Sequence, residues 1–377
     1  MRILLIGEYS RLHNSLKEGL LALGHQVTLV GSGDAFKNYP IDVVLERGYE
    51  TGWRKKLKVA VFKGTGIDIS AIALRRKFNK LKPQLQGYDV VQLINESSFR
   101  TTPKLEFEIA QYLKQNNKKL FLLSCGTDVK SVSYTETGEL PYSILTPYKE
   151  GKGSKKNYEY ALKYKRKDFI DLHHKLYYLV DGIIATDLDY HLPYQGDKQY
   201  RGLIPNPINV ETIKGETLDL DNKIIIFQGI NEGNYYTKGQ DIFTEALQIV
   251  KDQIPEKVEI ISTRNLPYIE YMKAYTACHI LLDQVYSLDQ GYNALEAMAR
   301  GKVVFTGAGT HFKEHYKLTE TVAIDATPNA RKIAQDLIEL INHPEKLKAI
   351  SQNAREFIEN HHDYRNIAQN YIDSWHK

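Results

Sequence analysis

The chain of 377 residues has few of the features that mark several common protein classes. Its two cysteines, Cys125 and Cys278, cannot form a disulfide framework, so we expect a reducing environment. No apolar run approaches the roughly 20 residues that span a bilayer, and the apolar start is interrupted at Glu8, too early for a secretory signal. With 25 glycines and 12 prolines, a fibrous or disordered chain is excluded. The sequence therefore predicts a globular, cytoplasmic protein.

Charge is unevenly distributed along the chain. Residues 1–200 hold 31 lysines and arginines against 22 acidic residues, whereas residues 201–377 hold 19 against 24. A basic, tyrosine-containing stretch at 148–167 includes Lys155, Lys156, Lys165 and Lys167. It is either a solvated face or a surface that contacts the inner face of a membrane peripherally. No nucleic-acid-binding motif accompanies it, so we expect no nucleic acid partner.

Short apolar runs alternate with amphipathic helical patterns, as in parallel sheets that are covered by helices on both faces. The series breaks at residues 204–207, where Ile-Pro-Asn-Pro is incompatible with a helix, and restarts at residue 223. The sequence therefore predicts an α/β protein of two tandem Rossmann-like, doubly wound domains. Their predicted bounds are 1–205 and 206–363, with a C-terminal helix at 364–377 that joins the first domain.

Four polar loops follow predicted strands, and ligands bind at the carboxyl ends of strands in such sheets. The first, 7–14, lacks the G-x-G-x-x-G pattern of dinucleotide enzymes, so it is either a polar turn or another ligand loop. In the second, 124–128, Asp128 offers an acceptor for hydroxyl groups, and Cys125 is more consistent with an inert thiol than with a nucleophile.

The other two loops precede predicted helices. Residues 229–239 contain three glycines and end at a helix start beside Lys238, which suits a phosphate group, although a flexible loop has the same composition. The fourth loop ends at Gly291, where another helix begins. Glu296 lies within the first two turns of that helix and could accept two hydrogen bonds from a ribose diol, or could be a solvated surface residue.

The segment Leu295–Val304 resembles the Glu-Ala-Met-Ala-x-Gly-x-Pro-Val stretch of retaining GT-B glycosyltransferases, the large group that includes glycogen and sucrose synthases. Lys238-Gly239 and the Pro-Asn-Pro stretch at 205–207 are also similar to that group. The resemblance implies two domains facing a cleft, a nucleotide-sugar donor, a glycan or lipid-linked acceptor, and neither a metal nor a cofactor. We therefore predict a metal-independent glycosyltransferase of cell-surface polysaccharide or glycoconjugate synthesis.

The resemblance also assigns roles to individual residues. It places Glu296 on the donor ribose, Lys238 on the phosphates, and Gly291 and Tyr292 near the diphosphate and sugar. The further substrate-binding candidates are Gly7, His13, Asn14, Gly229, Arg264 and Asn293. With Lys238, the catalytic candidates are Asp128 and Asp289.

Three positions depart from the family pattern. Leu288 stands where the family has a glutamate, and Asp289 is next to it. No arginine follows Gly229, so Arg264 is the candidate substitute. Cys125 replaces a histidine, whose contact Asp128 or His13 would have to make. Two alternatives therefore stay open: a nucleotide-sugar 2-epimerase on the same fold, and a non-catalytic nucleotide-sugar or glycan-binding relative.

Overall fold

The computed structural model describes residues 1–32 and 39–377, and of Tyr268 only the backbone. Two sheets with entirely parallel strands organise the chain, which confirms the predicted α/β class. The first sheet comprises β1 (Arg2–Ile6), β2 (Gln26–Gly31), β3 (Val43–Val44), β4 (Val90–Leu93), β5 (Lys119–Ser124), β6 (Gly182–Ala185) and β7 (Tyr200–Leu203). The second comprises β8 (Ile224–Ile230), β9 (Val258–Arg264), β10 (Ile280–Leu282), β11 (Val303–Thr306) and β12 (Ile324–Asp325).

Strand order in each sheet reverses once. The first sheet runs β3-β2-β1-β4-β5-β6-β7, and the second runs β12-β11-β10-β8-β9. The reversals lie between β1 and β4 and between β8 and β10, where the connections leave in opposite directions and open a crevice at the carboxyl ends. The loops after these strands are therefore placed to hold ligands.

Helices cover both sheets, and none of the described ones combines the length and apolar character needed to cross a membrane. In the first part they are α1 (Leu12–Ala22), α2 (Gly52–Thr65), α3 (Ile69–Leu81), α4 (Pro103–Asn116), α5 (Val129–Tyr134), α6 (Thr146–Lys149), α7 (Lys155–Leu162), α8 (Lys167–Leu179) and α9 (Leu188–Tyr194). In the second part they are α10 (Gln240–Gln253), α11 (Tyr268–Ala277), α12 (Tyr292–Ala299), α13 (Thr310–Tyr316), α14 (Ala330–Asn342), α15 (Pro344–His361) and α16 (Tyr364–His376).

The last helix, α16, returns to the first sheet and packs against α1. Tyr371 and Trp375 are completely buried there, in one cluster with Leu12 and Leu16. A Cβ atom at Gly19 would lie 2.2 Å from the carbonyl oxygen of Tyr364, so the two helices can approach this closely only at a glycine. The chain thus crosses between the sheets twice, and the predicted bounds at 205 and 363 stay predictions.

Candidate functional site

Two adjacent cavities occupy the cleft between the sheets. Their volumes are about 470 and 500 Å³, within the range of small-molecule sites. Asn231, Asn234 and Lys238 line both, so the cavities meet at these residues. The first is also lined by the candidates Gly229, Tyr292, Asn293 and Glu296, and the second by Gly291. The structure therefore brings together six of the residues singled out from the sequence.

Lys238 lies immediately before α10, on the wall of both cavities. Its Nζ donates a hydrogen bond of 2.9 Å to Oδ1 of Asp283, and Asn293 Nδ2 donates one of 2.9 Å to the same oxygen. Asp283 is buried directly after β10, and its Oδ2 has no hydrogen-bond partner among the described residues. Asp283 thus fixes the lysine at the cavity wall. Sequence reasoning missed it, although an acid directly after a predicted strand was a usable signal.

Glu296 faces the first cavity from the second turn of α12. Arg11, in the loop between β1 and α1, interacts electrostatically with Glu296. Burial lowers the pKa of Arg11, but the carboxylates of Glu18 and Glu296 outweigh burial, so the pKa is raised. Gly291 is the residue before α12, and a Cβ there would meet no atom within 4 Å. Gly291 lines the second cavity, so the start of α12, with its free backbone amides, lies at a cavity wall.

Aromatic side chains form another wall of the first cavity. Tyr271 and Tyr275 stack with ring centroids 5.8 Å apart, and the Tyr271 hydroxyl donates a 2.8 Å hydrogen bond to Asn293 Oδ1. A Cβ at Gly229 would lie 2.4 Å from Cε2 of Tyr271, so glycine is required for this approach. The wall is apolar on its ring faces and suits a flat base. The high number of tyrosines, 26, was the only indication of this aromatic wall in the sequence.

The structure places His13 in the core instead of in either cavity. Burial lowers the pKa of His13 to about 3, so its ring is neutral at physiological pH. Nδ1 lies 2.8 Å from the carbonyl oxygen of Gly7, and Nε2 lies 3.2 Å from Nε2 of Gln92. The protonated Nδ1 therefore donates to Gly7, and Nε2 accepts from Gln92. Both ring nitrogens are used within the protein.

Gly7 and Asn14 shape the same loop without lining a cavity. Gly7 has φ of +87°, and a Cβ there would lie 2.4 Å from Cγ2 of Ile94. Asn14 donates from its backbone nitrogen and from Nδ2 to Oε2 of the buried Glu8, at 2.9 and 2.6 Å. These contacts fix the turn that carries Ser10 to the first cavity.

Asp128 and Arg264 are engaged elsewhere. Asp128 is buried at the start of α5, where its Oδ1 accepts from the backbone nitrogen of Ser131 at 2.7 Å. Arg264, at the end of β9, forms an exposed ion pair with Glu232, and its guanidinium lies 5.4 Å from the Tyr235 ring centroid. Neither side chain lines the two cavities.

Asp289 joins the two parts of the chain. Its Oδ2 accepts from the backbone nitrogen of Leu188 at 3.2 Å, while Asp189 accepts from the backbone nitrogen of Leu288 at 3.1 Å. We call Asp189 and Asp289 the carboxyl pair. Burial raises the pKa of Asp289 to about 7 and also raises the pKa of Asp189. Leu288, which stands where the family has a glutamate, is buried, and its apolar side chain cannot make the polar contact to a ligand that a glutamate could make.

Among residues 1–32 and 39–377, no group of three His, Cys, Asp or Glu side chains is arranged to hold a metal ion. Residues 243–373 match the family model described as glycosyl transferase-like. No curated protein matches the chain in sequence. The fold, however, has many counterparts among solved structures.

Sucrose-phosphate synthase from Thermosynechococcus elongatus aligns with 100% of this chain and 98% of its own, at 15% identity and a TM-score of 0.60. HepE from Anabaena, in complex with UDP and glucose, aligns with 99% of each chain, at 13% identity and a TM-score of 0.58. The chain has the fold of GT-B glycosyltransferases. The predicted GT-B fold is thereby confirmed. A putative UDP-N-acetylglucosamine 2-epimerase from Listeria monocytogenes also aligns, over 98% of this chain and 94% of its own, at 11% identity and a TM-score of 0.52.

Proposed function

We propose that this GT-B protein transfers a sugar from a nucleotide-sugar donor to an acceptor hydroxyl with retained configuration. The observation that carries the proposal is the position of Lys238 where the two cavities meet. A nucleoside in the first cavity, with its ribose diol on Glu296, would extend its diphosphate toward Lys238. The sugar would then lie in the second cavity, within reach of an acceptor.

The chemistry of this arrangement follows from where charge develops. As the bond between the anomeric carbon and the leaving phosphate oxygen breaks, negative charge grows on the diphosphate, which Lys238 and helix-start amides stabilise. The acceptor oxygen bonds to the anomeric carbon, and its proton passes to the leaving phosphate, as the family resemblance implies. No carboxylate base is needed, which agrees with the engagement of Asp128 and Asp289 in protein hydrogen bonds.

The second cavity supports a neutral, hydroxyl-rich acceptor. Of its described lining residues, Lys238 is the single lysine or arginine. Apolar side chains share the lining with residues that carry hydroxyl, amide and carboxyl groups, among them Thr127, Ser131, Thr135, Ser143, Tyr160, Asp187, Asp189, Asn231, Thr237 and Gln284. Such groups pair with sugar hydroxyls, whereas a phosphorylated acceptor would need more cations. We therefore propose a glycan acceptor and a role in polysaccharide or glycoconjugate synthesis.

The second candidate is a nucleotide-sugar 2-epimerase. Asp187 and Asp189 favour it, because both line the second cavity and burial raises the pKa of each, so that one of them can hold a proton there. Proton transfer at the sugar requires such groups.

One assay separates these functions. The protein is incubated with a panel of nucleotide sugars, with and without glycan acceptors, and both released nucleotide and sugar isomers are measured. We expect nucleotide release that depends on acceptor, with the anomeric configuration of the product matching the donor. Isomerised sugar in the absence of acceptor would establish the epimerase instead. Binding without turnover of any donor would identify a non-catalytic relative.

Replacing Glu296 with glutamine should weaken nucleotide binding by about 1.5–3 kcal/mol, the range for hydrogen bonds to a charged group. The amide keeps the shape of the side chain but offers one acceptor oxygen instead of two charged ones. Titration calorimetry with nucleoside diphosphates measures the loss. Glu245→Gln, on the exposed face of α10, is the matched control and should bind as the wild type does. Equal affinities for all three proteins would remove Glu296 from the nucleotide site.

A further inference from the structure

We propose that residues 51–67, which we call the α2 segment, dock the protein onto the anionic surface of a phospholipid bilayer. The segment consists of α2 with its flanking residues and follows β3 at the edge of the first sheet. This inference is independent of the glycosyl-transfer proposal, because it concerns a surface outside both cavities.

The α2 segment exposes large apolar side chains that a protein in water normally buries. None of the residues of α2 is buried. Trp53 is 69% exposed, Phe62 55% and Ile67 48%, and Leu57 and Val59 are exposed as well. Trp53 and Leu57 are four residues apart and so share one face of the helix. A concentration of exposed apolar groups on one short helix marks an interaction surface.

The same segment is strongly basic. It contains five lysines and arginines and no aspartate or glutamate, and residues 51–82 as a whole hold ten basic residues against one acidic residue. Lys58 pairs with Glu50 at 2.8 Å. Lys55, Lys56 and Lys63 form no ion pair with any residue that the structure describes. Their charge is therefore available to an anionic partner.

A bilayer surface matches both properties at once. Trp53 and Leu57 can insert together at the level of the headgroups, while the long side chains of the lysines reach the phosphates and anionic headgroups above them. A nucleic acid would satisfy the lysines but leave the apolar side chains exposed. A second copy of the chain would cover the apolar side chains but would bring five like charges against five. The chemistry therefore favours the bilayer.

The basic stretch at 148–167 is less suited to this role, because many of its charges are paired. The distance from the lysine Nζ to the nearest carboxylate oxygen is 2.6 Å for Lys165 and Glu136, 3.1 Å for Lys167 and Asp171, and 3.0 Å for Lys152 and Asp241. These ion pairs reduce the field that a membrane would experience. The stretch therefore serves as a matched control for the α2 segment within the same part of the chain.

Tryptophan fluorescence can report docking directly, since the chain has two tryptophans. Trp53 is exposed and Trp375 is completely buried, so only Trp53 should respond. We expect vesicles of phosphatidylcholine with phosphatidylglycerol to shift the emission to shorter wavelength and to sediment the protein, and pure phosphatidylcholine to do neither. The binding should weaken as salt is added, because salt screens the lysines.

Two triple variants with the same change of charge locate the surface. Lys55→Glu/Lys56→Glu/Lys63→Glu should weaken vesicle binding by about a hundredfold or more, since each lysine near an anionic bilayer raises the affinity by about fivefold. Lys165→Glu/Arg166→Glu/Lys167→Glu, in which all three charges are paired in the wild type, should change it far less. Trp53→Ser should also weaken binding and abolish the emission shift. Nucleotide affinity, unchanged in all three variants, verifies that they fold.

Three outcomes would overturn the proposal. Equal losses in the two triple variants would mean that net charge alone drives binding. No binding at low salt would show that the α2 segment does not recognise bilayers. Binding to a single-stranded nucleic acid or self-association, each lost in the α2 triple variant and unaccompanied by vesicle binding, would assign the surface to that partner. None of these results would affect the glycosyl-transfer proposal, which depends on the donor assay.

Discussion

Replacing Lys238 with alanine should lower the rate of sugar transfer by about 100- to 1,000-fold, the loss seen when one preorganised group that stabilises a developing oxyanion is removed. The ammonium lies where the two cavities meet, so it would neutralise charge on the diphosphate as the sugar leaves. Binding should change selectively. Affinity for a nucleoside diphosphate should fall far more than affinity for the bare nucleoside, which lacks the charge that Lys238 contacts.

The hydrogen bond to Asp283 bears on how this experiment is interpreted. Without Lys238 the buried Asp283 carboxylate loses its cation and keeps Asn293 as a donor. Lys238→Ala/Asp283→Asn removes that uncompensated charge, and it should fold at least as well as the single variant while remaining slow. Lys251→Ala, at the other end of α10, is the control and should retain full activity. An equal loss of affinity for nucleoside and nucleoside diphosphate would place Lys238 away from the phosphates.

The strands of both sheets could be predicted because parallel strands covered on two faces are continuous apolar runs. Residues 182–185 and 303–306 are two such runs, and the structure has strands with the same bounds, Gly182–Ala185 and Val303–Thr306. The edge strands β3 and β7 escaped prediction, since β3 has two residues and β7 has no buried residue. The amphipathic pattern of residues 157–179 predicts a single helix, but the structure has two helices there, α7 and α8, separated by a 3₁₀ turn at Lys163–Lys165. Helix α2 was missed because it has no buried face and hence no apolar period.

The candidate site was predictable to the extent that it depends on helix starts. Lys238 and Glu296 reach the first cavity because each lies at or near the start of a helix that faces the cleft. Asp128 and His13 do not, since a position after a strand determines the edge of the sheet but not the direction of the side chain. In both cases a local hydrogen bond, to the backbone of Ser131 or of Gly7, turns the side chain inward.

The carboxyl pair shows a similar limit of sequence reasoning. Asp189 and Asp289 lie far apart in the chain, yet each accepts a hydrogen bond from the backbone beside the other. No local pattern encodes such a reciprocal contact, which exists only once the two sheets face each other. Asp289 was predicted to be catalytic because it is next to Leu288, which stands where the family has a glutamate. The structure shows it in a contact between the two parts of the chain, with burial raising its pKa to about 7, and its catalytic role stays a prediction.

That raised pKa predicts how stability depends on pH. Asp289 titrates near 7 in the folded protein and near its usual value of about 4 when unfolded. Between these values the folded state binds the extra proton, so this group's contribution to the free energy of unfolding falls as pH rises, by up to about 4 kcal/mol in total. Asp289→Asn removes the titration. It also loses one acceptor oxygen, at a cost of about 1–3 kcal/mol that does not vary with pH.

The wild type should therefore have the higher thermal unfolding midpoint at pH 4. As pH rises to 8, the wild type should lose this advantage, and the variant should equal or exceed it. The comparison of the two proteins cancels the buried His13, whose lowered pKa makes both lose stability as pH falls below about 6.5. A constant difference from pH 4 to 8 would mean that Asp289 is ionised throughout that range. The contact between the sheets would then rest on a carboxylate instead of on a group that can be protonated.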